Sequence, residues 1–389
     1  MNFKKGIKTV HLWLGLTSGL VVLFLGITGC ILAFQREIET ITLPYQYVKP
    51  QTGNFVPPSR LYAIATKALP GKIAHSVTYG ARNKAAVVTY YHDDPEYYYL
   101  AYLNPYTGEV LKVKNMDDDF FRIVVKGHFY LWLPEDIGKP IVASATLIFF
   151  VMMVTGIVLW WPKNKAARKQ RFSVKWNAKW RRVNYDLHSV LGFYMSWIAI
   201  FIAITGLVWG FEWVGNSMYW VTSGGKQLIP FYEPASGKKV ILSDNTPVID
   251  KIWKQMQTSY TKAETLEIHY PHTDTSSIEV AANPDASTYW KTDYRYFDQY
   301  TMQEMDVKHI YGRFNNTRVA DKITRMNYDV HVGAILGLPG KIMAFFASLV
   351  AASLPVTGFC IWWGRRNKKK ANEIPVHVVK ARKRIEELV

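Results

Sequence analysis

Four long apolar stretches, separated by polar sequence, constrain this chain more than any other feature. They run from about Leu12 to Phe34, Ile137 to Trp161, Leu187 to Phe211 and Leu338 to Trp363, 23 to 26 residues each with hardly a charge. A helix rises 1.5 Å per residue, so about 20 residues cross the roughly 30 Å hydrocarbon layer of a bilayer. One such stretch is compatible with a buried core helix; four of this length predict four membrane spans. A mean hydropathy of −0.04 conceals them by averaging them with the polar segments. The 389 residues leave room for substantial parts outside the membrane.

The net charge of +17 would suit a nucleic-acid partner, but its placement argues against one. Lys4, Lys5 and Lys8 precede the first span. Lys163, Lys165, Arg168, Lys169, Arg171, Lys175, Lys179, Arg181 and Arg182 lie between the second and third with no acidic residue among them. Arg365, Arg366, Lys368, Lys369 and Lys370 follow the fourth. The two long loops mix both signs. This is the positive-inside pattern, which places both termini in the cytoplasm and both long loops outside. It also favours contact with anionic lipid. The first apolar run is too long for a cleaved signal peptide, and Gln35-Arg36-Glu37 follows it without a small-residue cleavage pattern, so it reads as an uncleaved anchor. Cys30 and Cys360 both lie inside spans and read as apolar filler, not as a disulfide or metal pair.

The chain reads as two copies of one plan. The first span opens His11-Leu-Trp-Leu-Gly15 and carries Thr28-Gly29; the third opens His188-Ser-Val-Leu-Gly192 and carries Thr205-Gly206. The histidine-to-second-glycine spacing is 18 in both. His128 precedes Thr155-Gly156 and Trp160-Trp161, and His331 precedes Thr357-Gly358 and Trp362-Trp363, with His-to-Gly spacings of 28 and 27. The long loops correspond too. Residues 57–69 and 246–258 are amphipathic helices by pattern. Strand-like runs follow at about 73–80, 86–92 and 97–103, and again at about 264–270, 276–282 and 290–298. The third run enters a turn, Asn104-Pro-Tyr-Thr-Gly108-Glu in the first copy and Asp298-Gln-Tyr-Thr-Met-Gln in the second, which lacks the proline and glycine. The expected fold class is membrane α-helical: a four-helix transmembrane bundle from an internal duplication, with two small α+β domains outside.

Ionisable residues at membrane depth are functional candidates. On this topology His11 and His188 share the cytoplasmic face, and His128 and His331 the outer face. One histidine per helix, paired across a four-helix bundle, is the arrangement of bis-imidazole haem ligation. Small residues at helical spacing beside the ligands, Gly15 and Gly19 with His11 and Gly192 with His188, would leave room for a macrocycle; plain helix packing is the equal alternative. Eighteen residues of helix span roughly 27 Å, so Gly29 and Gly206 would flank the outer haem, and Gly156 and Gly358 the inner one. Asn184 and Asn327, four residues before His188 and His331, are candidate hydrogen-bond partners for the imidazoles. Asp186 and Asp329, two residues before, are candidate N-terminal capping charges. Arg122, Lys126, Arg318, Lys322 and Arg325 precede the outer histidines, either to pair with propionates or as a solvated face. The spacings do not suit zinc. The tryptophan pairs suit an interfacial belt. His269 and His272, around Tyr270-Pro271, suit a metal or substrate site, or are solvated loop histidines.

The His-x-x-Leu-Gly openings, the internal Thr-Gly pairs and the Asn-Pro-x-Thr-Gly-Glu turn resemble the PepSY-associated transmembrane family over roughly residues 5–366. Its closest functional analogy is with the FoxB-type di-haem ferric-siderophore reductases of bacterial inner membranes. The resemblance implies PepSY-like periplasmic domains and two haem b groups ligated by His11, His188, His128 and His331. It also implies reduction of ferric iron in a siderophore, fed by a cytoplasmic or quinol donor. The resulting expectation divides the chain into span 1 (1–36), periplasmic domain 1 (37–116), an interfacial helix with span 2 (117–162) and a basic cytoplasmic loop (163–183). Span 3 (184–213), periplasmic domain 2 (214–315), an interfacial helix with span 4 (316–366) and a cytoplasmic tail (367–389) follow. The rival expectation is a non-redox membrane module whose PepSY domains bind or regulate an envelope peptidase or another partner.

Overall fold

The computed structural model describes residues 3–162, 164, 168, 171–237 and 245–373, with side chains to residue 367. The expected topology charges at Lys163, Lys165 and Lys169, the side chains of Lys368, Lys369 and Lys370, and the tail beyond Glu373 lie outside this description. The chain forms two compact units: a helical unit of residues 1–33, 128–210 and 342–389, and a sheet unit of 34–127 and 211–341.

Four helices are long and apolar enough to cross a membrane: Phe3–Ala33, Glu135–Trp160, Trp180–Gly210 and Ala334–Asn367. Within them α1 is Phe3–Ala33, α5 Glu135–Trp160, α6 Trp180–Gly210 and α11 Gly337–Glu373. Leu20 and Ile27 on α1, Val151 and Val154 on α5, Phe201 on α6, and Leu349 and Phe359 on α11 are exposed. Apolar side chains displayed on every span are what lipid, not water, covers. The protein is a multi-pass membrane protein in contact with a bilayer.

Small residues bring the helices of this unit together. A methyl placed on Gly26 of α1 would lie 2.8 Å from Cβ of Ala352 on α11, and one on Gly210 of α6 would lie 2.7 Å from Cβ of Ala143 on α5. Without a hydrophobic drive between helices in lipid, such close approach supplies the attraction. Trp160 stacks flat on Phe193, ring centres 3.5 Å apart, and is buried, whereas Trp161 is exposed. The first tryptophan of that pair therefore packs inside, and only the second fits an interfacial belt.

In the sheet unit, α2 (Gln35–Thr42) leads to α3 (Pro58–Ala68), then β1 (Ser76–Tyr79), β2 (Ala86–Asp93), β3 (Glu96–Leu103), β4 (Val110–Asn115) and α4 (Phe120–Tyr130). The same order returns with α7 (Glu212–Thr222), α8 (Val248–Ser259), β5 (Thr265–His269), β6 (Ser277–Asn283), β7 (Asp293–Asp298), β8 (Glu304–Met305), α9 (Val319–Arg325) and α10 (Asn327–His331). The two α+β modules share a single eight-stranded sheet of order β4-β3-β2-β1-β5-β6-β7-β8. The join is an antiparallel β1–β5 ladder with Ser76 opposite His269 and Thr78 opposite Glu267. Each module alone would leave β1 or β5 as an open edge; pairing them removes it.

Period-2 alternation sends one set of strand residues to the core. Val77, Val88, Tyr90, Ile268, Val280 and Phe297 are buried there beneath Leu61 and Ala65 of α3 and Ile252 and Met256 of α8. Asp250 of α8 accepts from the Ser59 backbone N–H at 2.9 Å, tying the start of α3 to its counterpart. β4 and β8 are additional to the six expected strands. The expected run at 290–298 begins at Asp293, because Thr288 and Thr292 bond back to Asp285 and Tyr289 in a turn.

The two turns converge on one geometry despite their sequences. Gly108 has φ +79° and Met302 has φ +62°. Gly108 N–H donates to the Asn104 carbonyl at 2.8 Å, and Met302 N–H to that of Asp298 at 3.1 Å. Asp298 Oδ1 also accepts from Tyr300 and Thr301 N–H, both at 2.8 Å, which holds Met302 in a conformation its Cβ disfavours.

Candidate functional site

Three of the histidines near the spans, His11, His128 and His188, are each set by a threonine on another helix. In the helical unit, His11 Nδ1 lies 2.9 Å from Thr155 Oγ1, joining α1 to α5. His128, near the end of α4, meets Thr28 Oγ1 of α1 at 2.8 Å. His188 of α6 meets Thr357 Oγ1 of α11 at 2.9 Å. His331 closes α10 in the sheet unit. The first two bonds are reciprocal: α1 gives its histidine to one threonine and its threonine to the other histidine.

These threonines also fix the tautomer. A hydroxyl has one proton. Thr155 Oγ1 donates to the Met152 carbonyl at 3.0 Å, Thr28 to Phe24 at 2.9 Å and Thr357 to Ser353 at 3.0 Å. Each oxygen therefore accepts from the ring, so Nδ1–H donates and Nε2 keeps its lone pair. The carbonyls of Met152 and Leu354, which only accept, are also within reach of the His11 and His188 rings. A neutral imidazole with Nδ1–H tied back and Nε2 free is the form that ligates a metal.

His11 and His188 are brought together inside the bundle, close enough for an electrostatic interaction between their rings. The glycine after each threonine sits against the imidazole. A methyl on Gly156 would lie 3.5 Å from His11 Cε1, one on Gly29 3.8 Å from His128 Cε1, and one on Gly358 3.2 Å from His188 Cε1. Gly206 follows Thr205 in α6 and is half-buried. The glycines nearer the start of the spans face other helices. Gly15 meets Met152, Gly19 meets Pro355 and Gly192 meets Leu354.

Several expected partners do other work. Asn184 donates to the Thr357 carbonyl at 3.0 Å, so it braces the turn that holds His188 and leaves the ring to Thr357. Asn327 is buried at the start of α10. Asp329 stands in the first turn of α10, where a charge at the helix N-terminus was expected, whereas Asp186 lies beyond the first turn of α6. Asp186 pairs with Arg182 at 2.9 Å inside α6, and Asp329, fully buried, accepts from Tyr289 N–H and Trp290 N–H. Lys126 pairs with Asp117 at 2.8 Å, Arg122 lies over Tyr98, and Lys322 over Phe314. Arg318 is exposed at the start of α9. Arg325 is 6% exposed, lies over Tyr294 and donates to the Thr292 carbonyl. Its Nη1 and Arg122 Nε are buried without a hydrogen-bond partner, an arrangement an anionic oxygen would complete.

The threonines were the residues that sequence reasoning passed over. Their signal was present: the Thr-Gly pairs recur at fixed distances, and a threonine beside a glycine combines an acceptor with the space to approach it. Gly138 was also missed. Its Cα lies against the backbone of Tyr130, where a Cβ would overlap the carbonyl, so the first turn of α5 closes onto the segment carrying His128. Leu131 and Trp132, between the two helices, have φ +57° and +58°.

A family model described as the PepSY-associated TM region matches residues 8–365. No curated protein matches the chain.

Proposed function

The chain belongs to the PepSY-associated TM family, and from that premise we propose that it is a di-haem b electron carrier of a bacterial inner membrane. The observation that carries this reading is the set of threonine-held imidazoles, His11, His128 and His188, each with its Nδ1–H committed to a hydroxyl oxygen on another helix. His11 and His188 would hold one haem, and His128 and His331 the other. The residues fit the group: neutral nitrogen donors, a glycine against three of the rings, and a buried Arg325 Nη1 whose N–H lacks an acceptor and suits a carboxylate. A bound haem would supply a one-electron couple at each level.

This chain's own residues would do the rest. Thr155, Thr28 and Thr357 keep the proton on Nδ1 and fix ring orientation. Apolar spans exclude water and so bias the potential of whatever is bound. In this reading an ancestral two-span module was duplicated, the termini are cytoplasmic and the sheet unit is periplasmic. Electrons enter from a cytoplasmic or quinol donor and leave to a periplasmic acceptor. Ferric iron in a siderophore is the acceptor we favour, on family resemblance; reduction to ferrous iron weakens its hold by hard oxygen ligands and releases it. The chain would then be a ferric-siderophore reductase.

Purified protein tests this. Two haem b per chain by pyridine haemochrome, with a Soret band that shifts on dithionite reduction, is the expected result. His11→Ala or His188→Ala should each leave one haem per chain. A colourless preparation from haem-replete cells would overturn the reading. A red protein that leaves a ferric hydroxamate unreduced would remove only the siderophore.

A further inference from the structure

At the β1–β5 join the sheet unit gathers imidazoles that the proposed electron path does not use. His75 leads into β1, and His269 ends β5 beside it. The backbone there is fixed: Ser76 is in register with His269, and Tyr270 N–H donates to the His75 carbonyl at 2.9 Å. The His75 and His269 ring centres are 4.7 Å apart. His272, just beyond the strand, is 5.7 Å from His75 on the same measure. Glu267 shares the strand face of His269, its Oε1 3.6 Å from His269 Nε2 and 2.7 Å from the Ser76 hydroxyl.

Ring packing alone explains this poorly. His272 is exposed, so no core demands it, and three basic rings crowded together repel when protonated. Ligation explains the spacing. Two imidazoles bound to one tetrahedral ion at about 2.0–2.1 Å have ring centres about 5 Å apart. The two separations bracket that value. Among the described residues no three ligating side chains yet converge on one point. Histidine χ2 is a soft torsion, so the rings are free to reorient toward a bound ion.

We propose that His75, His269 and His272 form a binding site for a divalent transition ion of the copper or zinc class, with Glu267 as the neighbouring carboxylate. His269 ends β5 and His75 directly precedes its partner strand β1, which fixes their separation; His272 stands in an exposed loop, which gives the ion its entry. The site lies wholly in the sheet unit and does not depend on the haem reading.

Tag-free, full-length protein in detergent, stripped with chelator, is titrated with Cu2+ and desalted. The expected result is one Cu2+ retained per chain, with imidazole nitrogen coupling in its electron paramagnetic resonance spectrum. His75→Ala and His269→Ala should each weaken binding on the order of tenfold or more. His272→Ala, in the exposed loop, should do so with circular dichroism unchanged, which separates ligand loss from misfolding. No retained Cu2+ or Zn2+, or a triple alanine variant that binds as tightly as the parent, would overturn the proposal. The same samples report haem by absorbance, so the two readings fail independently.

Discussion

At the scale of single residues, the Thr-to-imidazole bond is the device with the most chemical consequence. Thr155→Val keeps the shape of the side chain and removes the acceptor for His11 Nδ1–H. A weaker bond makes the imidazole a poorer donor, which favours ferrous over ferric iron. A hydrogen bond is worth about 0.5–1.5 kcal/mol, so the midpoint potential of the haem proposed at His11 should rise by about 20–60 mV. Redox titration of the variant checks this, and an unchanged midpoint would show that Thr155 only packs. Glu279 is the second telling residue. Burial, then the charges of Glu267 and Glu233, push its carboxyl up to about 7. Between its ordinary value and 7 the folded chain holds a proton that the unfolded chain has released. Its favourable contribution is therefore complete at acid pH and is lost as pH rises through that window. At roughly 1.4 kcal/mol per pH unit this amounts to about 3 kcal/mol. In EDTA, Glu279→Gln should melt higher than the parent at pH 8 and almost identically at pH 4.5; equal shifts at both would refute the assignment.

At the scale of elements, glycine marks where backbones must meet or turn. Gly108 holds φ +79° in the β3–β4 turn, where an added methyl would crowd Ile64. Gly108→Ala should cost about 1–2 kcal/mol, read as a lower melting temperature. Met302 tolerates the same φ because Asp298 braces its turn with side-chain bonds, so the cost is set by the turn's other contacts and not by φ alone. Gly138→Ala tests the other use. The new Cβ would overlap the Tyr130 carbonyl and force α4 and α5 apart. Under the proposed haem assignment it should remove the haem at His128 while that at His11 remains, seen as half the haemochrome yield. These cases also show what the sequence could and could not reveal. Long apolar runs and period-2 strands were legible because they are local. The Asn184 reading went astray because helical spacing supplies a neighbour on the same helix, whereas the partner, Thr357, comes from another span. The shared sheet was invisible for the same reason: β1 and β5 are far apart in sequence, and neither shows which edge it will pair.

At the scale of the whole molecule, the single sheet turns charge bias into a parity argument. β1–β4 come before the second and third spans, and β5–β8 after them, yet all eight strands share one sheet. A sheet forms only if both sets of strands lie on one side of the membrane. Two intervening crossings return the chain to the same side, as required. The first and fourth spans then put both termini on the opposite side, together with the segment joining α5 to α6. That segment carries Arg171, Lys175 and Lys179, Arg181 and Arg182 follow in the first turn of α6, and lysines and arginines concentrate on the cytoplasmic side. Parity says which segments share a side, and the charge bias alone supports the proposal that this side is the cytoplasm. A green fluorescent protein fused after Val389 should fluoresce, because it folds in the cytoplasm. Alkaline phosphatase inserted between Gly224 and Gly225, both outside regular structure, should be active, because it needs an oxidising compartment. The reverse pair of results would invert the protein and put the exit for electrons in the cytoplasm. One reporter active without the other would put both insertion points on one side, which would break the parity itself and with it the four-span count.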